Sequence, residues 1–265
     1  MERAAVDSAR VDDARERGRR AYAQRAWADA YEALSQASAE GPLDADDAEL
    51  LAFSTGLTGR EQLALEAYER LHQLRLDAGD VRRAAQAAFW AAMRSFSLGE
   101  MARGSGWVVR AQRLVEGQER DCVEHGYVRL PEVFRFTAAG DHTAARAAAR
   151  EAAEIGERHG DRDLTALART FEGRALVRRG RFSEGLPILD DVMVAVTSGE
   201  LSPIMTGIVY CAVIAACQQG YALDRAREWT EAMSRWCQAQ PQLVAFAGPC
   251  LIHRSEILLL SGAWP

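Results

Sequence analysis

The stretch 177–189, VRRGRFSEGLPIL, contains the unit from which the rest of the chain can be read. Gly180 is followed two places on by Phe182, five places on by Gly185 and nine places on by Leu189. A glycine that ends one helix, then a small and a large apolar residue one turn apart on the next, describes an antiparallel helical pair in close contact. The pattern recurs along the chain. Gly59, Gly99, Gly140, Gly180, Gly220 and Gly262 stand 40, 41, 40, 40 and 42 residues apart. Ala64, Gly104, Ala145 and Gly185 keep the small position, with Ala226 one place late, while Leu34, Tyr68, Val108 and Leu189 keep the large one. Met101, Phe182 and Trp264 stand two after the turn glycine; the first unit lacks the glycine, but Trp27 and Ala30 fall in register. Asp80, Asp121, Asp161 and Ser202, spaced 41, 40 and 41, put a capping side chain where each new pair opens, and Pro203 suits a first helical position. Self-similarity at this period specifies stacked copies of one hairpin. The expected fold is therefore all-α, a right-handed α-solenoid of antiparallel helical pairs, forming one body over 1–265.

The landmarks predict helices over 10–24, 28–39, 46–58, 61–77, 81–98, 101–116, 121–139, 142–158, 162–179, 183–197, 203–219, 223–238 and 244–261. That makes about six and a half pairs. Pro131 and Pro249 are expected to kink or shorten their helices, and Gly104 with Gly106 to weaken the start of 101–116. The last landmark, Gly262 to Pro265, reads as the turn after a first helix whose partner is missing. The expectation is a chain cut short at its C-terminus, or one that ends against another chain.

Composition narrows the function. The balance of 48 % hydrophobic and 26 % charged residues suits a globular chain, and the net charge of −6 disfavours a broad nucleic-acid face. All 32 cationic residues are Arg; there is no Lys and no Asn. Without Lys no Walker-type phosphate loop, Schiff-base chemistry or kinase-like phosphate clamp can be built, and without Asn there is no N-glycosylation site. Exclusive Arg use also suggests a GC-rich genome. The five Cys lie in apolar helical stretches with no C-x-x-C pair, as free thiols in a reducing cytoplasm would. The start of the chain has no signal-peptide core. Residues 201–223 carry no charge, but their capped start and glycine stop predict a helix buried on both sides rather than a membrane span.

The repeat pattern resembles tetratricopeptide repeats, lengthened to about 40 residues. The stretches RAWADAYEALSQA (25–37), GEMARGSGWVVRAQRL (99–114), EIGERHGDRDLTALAR (154–169), VMVAVTSGELSPIMTGIVYCAVI (192–214), RAREWTEAMSRWCQAQPQLV (225–244) and HRSEILLLSGAWP (253–265) further resemble actinobacterial LuxR-family transcriptional regulators. In that bacterial family a long tetratricopeptide-like region precedes a C-terminal helix-turn-helix domain, which these residues do not contain. The resemblance implies a sensory or regulatory module that binds a protein, peptide or small-molecule effector. DNA would be contacted by the missing domain, not by this chain. A stand-alone scaffold that binds a protein partner or self-associates, as a homodimer for instance, is the alternative.

Catalytic and metal constellations are not expected. Cys122 and His125, three apart, are the nearest approach to a ligand pair, and the remaining His are scattered. The GSG at 104–106 lies at a repeat turn without the strand a nucleophile elbow needs. No cofactor is implied, and the chain is not read as an enzyme. Asp12-Asp13, Asp46-Asp47 and Asp190-Asp191 read as solvated or helix-dipole pairs, and Arg15/Arg17/Arg19/Arg20 as surface ion pairs with Asp12, Asp13 and Glu16. The group Arg174/Arg178-Arg179/Arg181 has fewer neutralising neighbours and is a candidate anion or acidic-partner contact.

The tetratricopeptide resemblance implies an inner groove lined by the first helix of each pair, at places about three, six, ten and thirteen before the turn glycine. These hold Gln86, Phe89, Met93 and Phe96; Tyr127, Leu130, Phe134 and Thr137; Leu167, Thr170 and Arg174; and Tyr210 and Ile214. Burial in helix–helix packing is the competing fate of the same side chains.

Overall fold

The computed structural model describes residues 2–117, 121–260 and 262, with side chains from Arg10 onward. Among these residues all regular structure is helical. In chain order the helices are α1 (Glu2–Ala23), α2 (Trp27–Glu40), α3 (Ala45–Leu57), α4 (Glu61–Asp77), α5 (Val81–Ser97), α6 (Met101–Glu116), α7 (Glu124–Ala138), α8 (His142–His159), α9 (Arg162–Arg178), α10 (Phe182–Thr197), α11 (Pro203–Gln219), α12 (Leu223–Gln238) and α13 (Ala247–Leu260). Odd-numbered helices open each pair and are called A helices; even-numbered ones are B helices. Trp264 and Pro265, where the sequence places an unfinished turn, lie outside the described residues.

Two compact units are formed. One comprises Met1–Gly117 with Gln240–Ala245, the other Gln118–Ala239 with Phe246–Pro265. Within each, every helix packs on the next, and α1 on α3, α7 on α9, α9 on α11 and α11 on α13 bring A helices side by side.

The small position works as the sequence requires. Ala30, Ala64, Ala145 and Ala226 are fully buried, as are Leu34, Tyr68 and Leu189 one turn on. Gly173 of α9 and Gly185 of α10 meet backbone to backbone: a Cβ on Gly185 would lie 2.7 Å from the Gly173 carbonyl oxygen. Gly104 accommodates the Phe96 ring, which a Cβ would approach to 2.4 Å.

The caps are mixed. Asp80, Asp161 and Ser202 accept from the backbone N–H three residues on, and Asp44 and Asp141 do the same for α3 and α8. Asp121 does not cap. Helix α7 starts at Glu124, and the Asp121 carboxylate instead lies 3.0 Å from His159 Nε2 and 3.4 Å from Arg158. Pro131 is carried inside α7 and Pro187 inside α10. Helix α11 buries residues on all sides, and among the described residues no helix is long and apolar enough to cross a membrane.

Two other expectations are corrected by the packing. Asp47, in the first turn of α3, is not solvated: it is fully buried and accepts two hydrogen bonds from Arg19 of α1, of 2.6 and 2.9 Å. Residues 244–246 do not belong to the last helix, because Gln240–Ala245 crosses the ends of α2 and α3. Val244 and Ala245 both donate to the Leu57 carbonyl at 3.1 Å. Gln242 Oε1 accepts from Ala28 N–H at 2.9 Å and its Nε2 donates to Asp29 at 3.1 Å. These bonds satisfy groups that a helix terminus leaves open, at a helix whose own N-cap is Ala26.

Candidate ligand-binding face of the A helices

The turn that closes each A helix sets the register of its face. Gly59, Gly99, Gly140, Gly180 and Gly262 have φ between 67° and 79°, the left-handed region in which a Cβ is strained. Gly220 does not: its φ is −87°, and Tyr221 takes the left-handed place with φ 53°. Arg25, with φ 59°, does the same in the first pair. Counted from Arg25, Trp27, Ala30 and Leu34 stand two, five and nine places on. Counted from Tyr221, Ala226 is on time. The late alanine was the trace of this shift in the sequence.

The six-before position remains open to solvent in one A helix after another. Phe53, Met93 and Arg174 are partly exposed and Phe134 is 38 % exposed. With Tyr221 as the reference, the corresponding residue of α11 is Ala215, also partly exposed, with Cys211 in place of Tyr210.

The expected groove residues therefore divide. Phe89, Tyr127, Leu130, Thr170 and Tyr210 are buried. Phe89 meets Trp90 edge-on at 5.4 Å, and the Tyr127 hydroxyl donates to Asp161 at 3.1 Å. Thr170 Oγ1 donates to the Ala166 carbonyl at 2.7 Å, and the Tyr210 ring lies 5.8 Å from Trp236. Phe96 is turned onto Gly104. Gln86 and Met93 remain partly open on α5 in one unit, as do Phe134 and Arg174 on α7 and α9 in the other.

Phe134 and Arg174 are joined by a residue absent from the expected set. Phe171 stacks edge-to-face on Phe134, with centroids 5.0 Å apart at 79°, and the Arg174 guanidinium lies 5.7 Å from the Phe171 ring centre. Burial draws the Arg174 pKa below its ordinary value, and the charge of Arg178 one turn on adds to the effect. Phe134 is thus held edge-on against Phe171, and the Phe171 ring carries the Arg174 cation over it. Phe171 was missed because it stands nine before Gly180, outside the places counted for the groove.

Cys122 Sγ lies 3.1 Å from His125 Nδ1, and among the described residues no three His, Cys, Asp or Glu side chains form a metal-holding group. All five Cys are free; burial pushes Cys211 up to about 11 and Cys217 and Cys237 up to about 12, so their thiolates are suppressed.

No family model matches the chain, and no curated protein matches it. Solved structures do. A Rap protein complexed with Competence and Sporulation Factor superposes with a TM-score of 0.57 at 12 % identity, covering 91 % of this chain and 74 % of that one. A putative kinesin light chain with TPR-like repeats from Podosopora anserina gives 0.48 at 16 % identity over 73 % and 97 % of the two chains. The P58(IPK) TPR domain gives 0.40 at 14 % identity over 96 % and 68 %. The fold is a tetratricopeptide-like array of helical pairs.

Proposed function

We propose that this chain is a non-catalytic interaction module whose A-helix face holds a protein or peptide partner, or a small effector, as the sensory part of a cytoplasmic LuxR-type transcriptional regulator. The observation that carries the binding reading is Phe134, a large aromatic ring left 38 % exposed on that face and fixed edge-on by Phe171. A rigid aromatic anchor of this kind loses little conformational freedom when a ligand covers it. The similar fold of a Rap protein solved with Competence and Sporulation Factor supports a bound factor as the mode of action. The resemblance over 192–265 supports the regulator context, in which a separate helix-turn-helix domain would contact DNA.

A display selection of random peptides on the 265-residue chain tests the binding reading. Recovered peptides are expected to lose about tenfold in affinity when Phe134→Ala is introduced. Peptides indifferent to that substitution, or none at all, would count against it.

Self-association is the second reading, favoured by α13. Leu251 and Ile252 are 64 % and 58 % exposed, and Leu258, Leu259 and Leu260 between 45 % and 54 %. If a second copy covers this face, light scattering shows a dimer that Leu259→Glu dissociates; a monomer at all concentrations excludes it.

A further inference from the structure

Three of the five thiols gather where α11, α12 and α13 meet. Each two of these helices are in contact, and the charge of Cys250 bears on both Cys211 and Cys237. Within the group, Cys237 at the end of α12 and Cys250 in the first turn of α13 approach each other from both helices. Ser234 Oγ lies 3.3 Å from Cys250 Sγ, and Cys237 is the neighbouring side chain on that face of α12, three residues on. From the side of α13, the Phe246 carbonyl oxygen lies 3.9 Å from Cys237 Sγ and accepts the Cys250 N–H at 3.0 Å. The two thiols are themselves within hydrogen-bonding reach of each other, whereas Cys211 shares only the interaction of charge. Cys237 is half-buried and Cys250 is 7 % exposed, so one thiol of the pair is open to a reagent and the other is screened from it.

We infer that Cys237 and Cys250 form a reversible disulfide, a modification site that pins the first turn of α13 to the end of α12. The oxidant is a small disulfide of the glutathione class. The Cys237 thiolate attacks one of its sulfurs; the S–S bond breaks, and the glutathione thiolate that leaves takes up the proton Cys237 gave. The Cys250 thiolate then attacks the Cys237 sulfur of the mixed disulfide, and the second glutathione leaves with the proton of Cys250. Two protein thiols are oxidised and one glutathione disulfide is reduced. The bond closes a loop of only twelve intervening residues, 238–249.

Burial sets the speed of this chemistry. It pushes Cys237 up to about 12, so the attacking thiolate is scarce at neutral pH. Oxidation is therefore slow and gains with pH, unlike that of an activated sensor thiol, whose rate is already level above a low pKa.

The test incubates the folded full chain with glutathione disulfide, quenches with acid and maps the linkages by mass spectrometry. The expected product is a Cys237–Cys250 bridge that excess reduced glutathione reverses. Its initial rate should rise about tenfold per pH unit between about pH 7 and about pH 9. Cys211→Ser should leave bridge and rate unchanged, and Cys250→Ser should stop at a glutathione adduct on Cys237. Hydrogen exchange at the Cys250 amide should slow about fivefold on oxidation, because its turn no longer opens separately from α12. A bridge to Cys211, adducts without a bridge, or no product at all overturns the inference. A rate independent of pH over that range, or an unchanged Cys250 amide, overturns it as well.

Discussion

Tyr221 is 81 % exposed and holds a left-handed backbone conformation directly after a glycine that does not use its own freedom. A side chain with a Cβ is strained there by about 1–2 kcal/mol, a cost glycine avoids. Part of that gain is offset because glycine widens the unfolded ensemble. Tyr221→Gly is therefore expected to raise unfolding free energy by about 0.5–1 kcal/mol in a denaturant titration. Gly180→Ala, at φ 72° with no atom within 4 Å of the added Cβ, should lower it by about 1 kcal/mol. A neutral or destabilising Tyr221→Gly would show that the turn is held by something other than its glycine-like position.

At the scale of the element, helix contact depends on where side chains are absent. The α9–α10 crossing brings Gly173 and Gly185 within backbone contact, and a Cβ at Gly173 would also strike Leu189 at 2.7 Å. Gly185→Ala places a methyl against a backbone carbonyl, which cannot rotate away. The helices must separate, at about 1–3 kcal/mol, read as a lower denaturation midpoint with an unchanged slope. An unaffected midpoint would mean that the crossing has slack. Cross-helix ion pairs reinforce neighbouring contacts. Arg19–Asp47 joins α1 to α3, and buried Glu172 on α9 draws in Arg146 of α8. These pairs were not legible, because the acidic partner lies 26–28 residues away and local spacing points to nearer mates.

For the molecule as a whole, the absence of Lys removes the usual cause of alkaline loss of ion pairs, since a guanidinium stays charged. Buried and half-buried thiols take its place. Cys211, Cys217 and Cys237 have an ordinary value of 9.0, pushed in the fold to between about 11 and about 12 chiefly by burial. Above pH 9 the unfolded chain therefore loses these protons while the folded chain keeps them. Fewer protons are then bound in the unfolded state, so stability falls as pH rises. Unfolding midpoints measured from pH 8 to 11 should decline, and the decline should flatten when the three are replaced by Ala. An equal decline in the triple variant would place its origin elsewhere.

The sequence by itself determined the helices, their pairing and the contact position within each pair, because turn glycines, small residues and caps act over one or two turns. Counting back from those turns also put Phe134 and Arg174 at the same place in their helices. Tertiary structure decided the rest. That Tyr221 and not Gly220 takes the bend was marked in the sequence only by the late Ala226, and the two differ by one place in every residue assigned to the face of α11. Whether Asp47 meets water or Arg19, and whether Gln242 continues a helix or closes the end of α2, depends on elements far along the chain. Local pattern carries no term for such meetings, since they are fixed by which surfaces the folded chain leaves open.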